Sequence, residues 1–193
     1  MGGSNMSIAG SSASLIKLLQ RQYYETHGDL GGFTFRVFST ADFSGDITDY
    51  ITMFLYRVDV DRTKRHYEMS RSTPQSPRRT SLALELRYLL TVWGTTAERE
   101  QEALAECMEI LDQYALLSGE LLDSDYAWEE GTEIKVSLES ISNEDMLRLW
   151  DSLEPAYRLS VPYLVRTVLL SPLTREEAPL VDTRTNVWTP ALP

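Results

Sequence analysis

Residues 146–170, MLRLWDSLEPAYRLSVPYLVRTVLL, change hydrophobic period halfway along, and this change constrains the fold more than any other stretch. Met146, Leu149, Trp150 and Leu153 fall on one stripe at helical spacing. Ser142 and Asp145 stand ahead of that stripe as a capping box, with Glu144 and Asp145 at the positive helix end. Pro155 disfavours helical backbone in the residue before it, so the helix is expected to stop there. The period then becomes two. Leu159, Val161, Tyr163, Val165, Thr167 and Leu169 alternate with Arg158, Ser160, Pro162, Leu164, Arg166 and Val168, as in a strand. Pro162 cannot donate to a ladder, which predicts either an edge strand or a bulge at that point. An exposed edge could pair with another chain.

Upstream, the same two periods recur. Residues 1–14 are small and polar and read as a mobile lead-in. Leu15, Ile16, Leu19 and Tyr23 predict a short amphipathic helix capped by a preceding serine and ended at His27 and Gly28. The GDLGG run after it has no strand before it and no helix after it, so it reads as a turn and not a phosphate loop. Strands are expected at 33–38 and at 50–60. In the second of these, Tyr50, Thr52, Phe54, Tyr56, Val58 and Val60 share one side, while Ile51, Met53 and Leu55 make its first part apolar on both faces. Residues 64–69 read as its hairpin partner. Residues 70–80 form a polar loop with two prolines and with Arg71, Arg78 and Arg79, and Arg65 precedes them.

Leu82, Leu84, Leu86, Tyr88, Leu90 and Val92 recur at every second residue, so this leucine-rich stretch is a strand despite its helix-prone composition. Thr95 and Glu98 form a capping box for a helix over 97–117, whose buried stripe is Leu104, Cys107, Met108, Leu111, Tyr114 and Ala115 and which Gly119 closes. Residues 120–131 are an acidic connection, and 132–138 is a strand with Ile134, Val136 and Leu138 inward. Together these elements predict an α+β fold: a mostly antiparallel sheet of five or six strands packed by two or three helices. Residues 1–14 lead into a single domain over 15–171, and 172–193 form an extended, proline-rich tail with isolated Val187 and Trp188.

A net charge of −11 argues against a nucleic-acid binder, which needs a basic patch. Cys107 is the only cysteine, so an intrachain disulfide and a cysteine-based zinc site are both excluded, and its place on the apolar stripe makes it a structural thiol. No run approaches the roughly 20 apolar residues of a membrane helix. Asp59 and Asp61 lack a third oxygen ligand nearby and read as a solvated strand end. His27 and His66 stand apart with no hydrolase, protease or nucleotide motif around them. No catalytic residue, metal or cofactor is therefore expected, and the chain reads as a non-enzyme.

Three segments together resemble one family: ITMFLYRVDVD (51–61), SLALELRYLLTVWGTTAEREQEALAECMEILDQY (81–114) and LWDSLEPAYRLSVPYLVRTVLL (149–170). They are similar to the cap, or tube-and-sheath terminator, of phage-tail-like extracellular contractile injection systems, over roughly residues 12–171. The chain departs from that pattern at Ser81, at Arg87 and in its EREQE run. The resemblance implies a tail-terminator-like fold and a structural cap: a ring, expected to be a homohexamer, that ends tube growth and locks the last sheath ring. Its partners would be further copies of itself and the tube and sheath proteins, with no nucleic acid and no direct membrane insertion. It would be cytoplasmic during assembly and afterwards part of the particle. Arg78, Arg79, Arg158, Ser160, Pro162, Val187 and Trp188 are the candidate subunit-interface residues. Two other readings are a terminator or connector of a true contractile phage and an acidic adaptor of the particle.

Overall fold

The alternating leucines of residues 82–93 do form a strand, and it lies in the interior of the sheet. The computed structural model describes residues 7–28, 32–61 and 82–170. In chain order the strands are β1 (Thr34–Phe38), β2 (Tyr50–Val60), β3 (Leu82–Trp93), β4 (Leu116–Ser118), β5 (Glu133–Leu138) and β6 (Ser160–Leu170). They form one six-stranded sheet in the order β1-β2-β3-β6-β5-β4. β1 runs parallel to β2, and the other described pairs are antiparallel. The helices are α1 (Ser7–His27), α2 (Ala97–Gln113) and α3 (Asn143–Asp151). The expected α+β class is borne out. The hairpin partner expected at 64–69 and the tail at 172–193 lie outside the described residues.

Both sheet faces are covered near the middle. On one face, Leu15, Leu19 and Tyr23 of α1 and Leu104, Cys107 and Leu111 of α2 pack on Ile51, Met53, Leu86, Tyr88, Leu90 and Val165. On the other, Phe43 from a short 3-10 turn at Thr40–Phe43 and Trp150 of α3 join Phe38, Phe54, Leu89 and Trp93. Apolar residues on both sides of β3 are what an interior strand between two layers requires.

α1 begins eight residues earlier than expected, at Ser7, so residues 7–14 belong to the helix instead of leading into it. Their small size has a packing role. A Cβ added at Gly10 would lie 2.7 Å from the Trp128 ring. Ser12 Oγ meets Tyr88 Oη at 2.7 Å, and Ser14 Oγ accepts the Asp123 N–H at 2.8 Å. Serines that look like caps in the sequence are buried ties to the sheet and to the 119–131 connection. α2 is capped by Thr96, one residue after the expected Thr95, and accepts the Arg99 N–H. It also ends earlier, at Gln113, because Leu116–Ser118 pair with β5 and fully bury Leu117; Gly119, at φ +56°, turns the chain after that strand and not after the helix. α3 starts and stops as expected, with Ser142 as N-cap.

Three expectations about faces change. The β2–β3 register shifts between Leu55 and Arg57, so Tyr56 is an extra residue. A one-residue bulge exchanges the faces of everything after it. Val58 and Val60 therefore stand opposite Leu86 and Leu84, on the helix-covered side, and are exposed at its periphery. Leu138 is not inward but 59 % exposed, because β4 accompanies β5 only as far as Lys135. Finally, β6 is neither an edge strand nor bulged at Pro162. It lies between β3 and β5, and its irregularity falls opposite Glu85, between the pairs Leu84↔Val168 and Leu86↔Val165. The Pro162 carbonyl accepts the Glu139 N–H at 2.9 Å. In an antiparallel ladder the N–H and C=O of a residue point the same way. The missing donor therefore faces β5 just past its last pair, Leu138↔Tyr163, and only a terminal rung is lost.

Gly10→Ala is expected to destabilise the chain by about 1–3 kcal/mol in urea unfolding, although alanine is the better helix former, because the methyl group overpacks against Trp128. Unchanged or increased stability would contradict this close approach of α1.

Candidate functional site

The candidate interface residues that lie on β6 and its approach gather at one end of the sheet. Trp93 is packed at 6.0 Å from Trp150, which in turn meets Tyr157 edge-on at 6.0 Å. Arg158 lies with its guanidinium 5.6 Å from the Trp93 ring and donates to Glu100 Oε1 at 3.1 Å, tying this end to the first turn of α2. The Ser160 hydroxyl is turned inward: it meets Thr91 Oγ1 at 2.8 Å and donates to the Arg158 carbonyl at 2.9 Å. Beside it the Trp93 indole N–H donates to Thr52 Oγ1 at 3.0 Å, so this buried layer is held by hydrogen bonds as well as by rings. The Trp150 indole N–H is buried with no partner among the described residues.

Around that end, Leu147 and Tyr157 are each about half exposed, at 52 % and 51 %, and Leu159 is also exposed. They line the outside of α3 and the link to β6. Periodicity alone does not single out Leu147 and Tyr157: one lies off the α3 stripe and the other in an irregular link. Arg158, Ser160 and Pro162 are thus brought together, but Arg158 and Ser160 already have partners within the chain. Arg78, Arg79, Val187 and Trp188 lie outside the described residues.

Past α3, the same sheet face carries charge. Arg87 donates to Asp59 Oδ2 at 2.9 Å and pairs with Glu139 and with Glu85, while Arg166 donates to Glu85 Oε1 at 3.1 Å. The Tyr56 hydroxyl, on the bulge, donates to Glu139 at 2.7 Å. The strand end read as solvated is thus an ion-pair network. The Arg87 hydrogen bond holds Asp59 below its ordinary carboxylate value of 3.8; partial desolvation opposes it and Arg57 adds to it.

On the helix face, an open groove of about 460 Å³ runs between α1 and the 120–124 segment, lined by Lys17, Arg21, Tyr24 and Asp123. The Lys17 ammonium is taken up by Asp123 and Asp125, at 2.6 and 3.2 Å. Cys107 is fully buried, and desolvation pushes its thiol up. No group of three or more His, Cys, Asp or Glu among the described residues could hold a metal ion. No described helix is long and apolar enough to cross a membrane. What the surface does offer is an apolar shoulder, a charged sheet face and two sheet edges, which suit contacts with other proteins.

A six-stranded, mostly antiparallel sheet with two helices on one face and one on the other defines an α+β domain. Residues 12–184 match the Pvc16 N-terminal domain family, and the chain belongs to that family. Its fold is similar to that of the PVC sheath/tube terminator of an extracellular contractile injection system, in the extended state (TM-score 0.57, 17 % identity, 95 % of this chain and 64 % of that one). It is also similar to the tube-terminating cap of the anti-feeding prophage (TM-score 0.50, 16 % identity, 89 % of this chain and 60 % of that one). The chain thus spans less than two thirds of the length of either structure. No curated protein matches it in sequence. The resemblance read from the three segments is borne out at the level of family and fold.

A carboxylate with a depressed folded pKa contributes stability above its unfolded pKa and loses it as pH falls through the folded value. Arg87→Met is therefore expected to lower the thermal midpoint at pH 7 and to shrink the loss between pH 5 and pH 2, since Asp59 loses its largest stabilising partner and keeps only Arg57. An equal midpoint loss in both chains over that range would contradict this assignment.

Proposed function

We propose that the chain is a structural cap of a contractile injection particle: copies join side by side in a ring, a homohexamer by the family resemblance, that ends tube growth and holds the last sheath ring. The observation that carries this reading is family membership over 12–184 together with a fold shared with two solved tube-terminating proteins. The surface is compatible with it. Sheet edges and an apolar shoulder on a chain of net charge −11 favour specific protein contacts while keeping free copies soluble. A contact between unlike patches repeats head to tail and closes when the rotation between copies allows. Arg158 and Pro162 at the aromatic end, and Arg78, Arg79, Val187 and Trp188 outside the described region, are candidate contributors to contacts with the tube, the sheath or another copy. Ser160 supports that end from inside. The role is structural and not enzymatic, exercised in the cytoplasm during assembly and then within the particle.

Electron microscopy of particles made with and without this chain tests the reading. Without it, tubes and sheaths of uncontrolled length are expected; an unaltered length distribution would contradict termination. Removing residues 172–193 is expected to leave the domain folded and to lower the fraction of capped particles. Full capping by the truncated chain would remove the tail from the interface.

A further inference from the structure

Between the C-terminal half of α2 and the end of β5 lies a cleft of about 260 Å³, with an apolar wall of Met108, Leu111, Val136, Leu138 and Tyr163. Tyr163, only 3 % exposed, closes that wall with its ring. Glu109 and Asp112, both exposed, form the acidic rim, and neither carboxylate has an ion-pair partner among the described residues. The backbone is also open here. The Val136 N–H bonds outward to the Ala115 carbonyl at 2.8 Å, so the N–H and C=O of Leu138, two residues on, point outward as well, beyond the end of β4. The cleft thus asks for an extended segment that brings one large apolar side chain and a positive charge.

The sequence contains one segment with that chemistry. Of the twenty residues 62–81, six are Lys or Arg and one is Glu, a net charge of +5 in a chain of −11. Within it, Lys64 and Arg65 precede Tyr67 and Met69, whose spacing of two puts both on one side of an extended backbone. Residues 171–193 also carry large apolar side chains, but their three acids against two arginines suit an acidic rim poorly. We infer that the cleft receives residues 64–69 of a second copy, with Tyr67 or Met69 between Leu138 and Met108, Lys64 and Arg65 facing Glu109 and Asp112, and a backbone rung added at Leu138. The contact rests on the ring reading above and gives it a definite patch and counter-patch: unlike surfaces, as a head-to-tail ring needs.

The test uses full-length chains with one cysteine added beside each half of the contact, Glu68→Cys in one and Ser137→Cys in the other, with buried Cys107 retained. The two are mixed and treated with a short bismaleimide. A covalent dimer is expected in the mixture. Its yield should fall at least about tenfold when the cleft partner also carries Glu109→Lys and Asp112→Lys, since like charges then face each other across the contact. Adding Lys64→Glu and Arg65→Glu to the other chain should restore it. The inference is overturned by a dimer indifferent to charge reversal. It is equally overturned if both cysteines on one chain join intramolecularly while the mixture gives no dimer, because the segment then occupies its own cleft. Size-exclusion of the parent chain separates the two claims. A ring that forms without the cross-link sinks this contact and leaves the ring standing, whereas a parent chain that stays monomeric at every concentration sinks both.

Discussion

The pairing of β3 with β6 joins what the chain makes early to what it makes late, and the other elements are placed by it. β3 brings Leu86, Tyr88 and Leu90 to the helix face and Leu89 and Trp93 to the aromatic face. β6 adds Tyr163 and Val165 to the first of these cores and closes the second through Ser160 on Thr91. Around this pair, α1 is fixed by the Ser12 contact with Tyr88, and α3 by Trp150 against Trp93 and Phe43. An interior strand buried on both faces can shift by one residue only by exchanging two cores at once, so its register is strongly specified.

Much of this could be read from the residues. The alternation of 82–93, the switch of period after Pro155 and the Ser142 cap are local signals, and each predicts its element directly. The misreadings have a common origin, in neighbours distant along the chain. Gly10, Ser12 and Ser14 look like a mobile lead-in until Trp128, Tyr88 and Asp123 are placed against them. The bulge at Tyr56 leaves no trace in a pattern of alternating apolar residues, although it reverses the faces of Val58 and Val60. Pro162 is compatible with an interior strand only because β5 ends beside it, which nothing near Pro162 reveals. Arg158, Ser160 and Pro162 near β6 are marked as interface candidates by the sequence. Leu147 and Tyr157 are not, because exposure is a tertiary property.

The conspicuous reactive and charged groups among the described residues are engaged within the fold. The thiol of Cys107 is sealed in the core, Lys17 is held between two carboxylates, and the sheet-face charges neutralise one another in pairs. What varies along the chain is charge and shape: an acidic sequence overall, a strongly basic stretch of sequence at 62–81, and apolar side chains left exposed at the ends of described strands. Complementary charge between repeated copies favours encounter and orientation more than affinity, and buried apolar contacts then hold the assembly. A cap built this way would stay soluble when free while contacts between copies, and with a tube end, add up to a committed ring.

Localisation on intact particles tests the cap role most directly. With an affinity tag on the chain and gold-labelled antibody, electron microscopy should place label at one end of each particle, opposite the baseplate, in both long and short examples. Label along the shaft, at the baseplate, or only on free protein would contradict the assignment of this chain as the terminator.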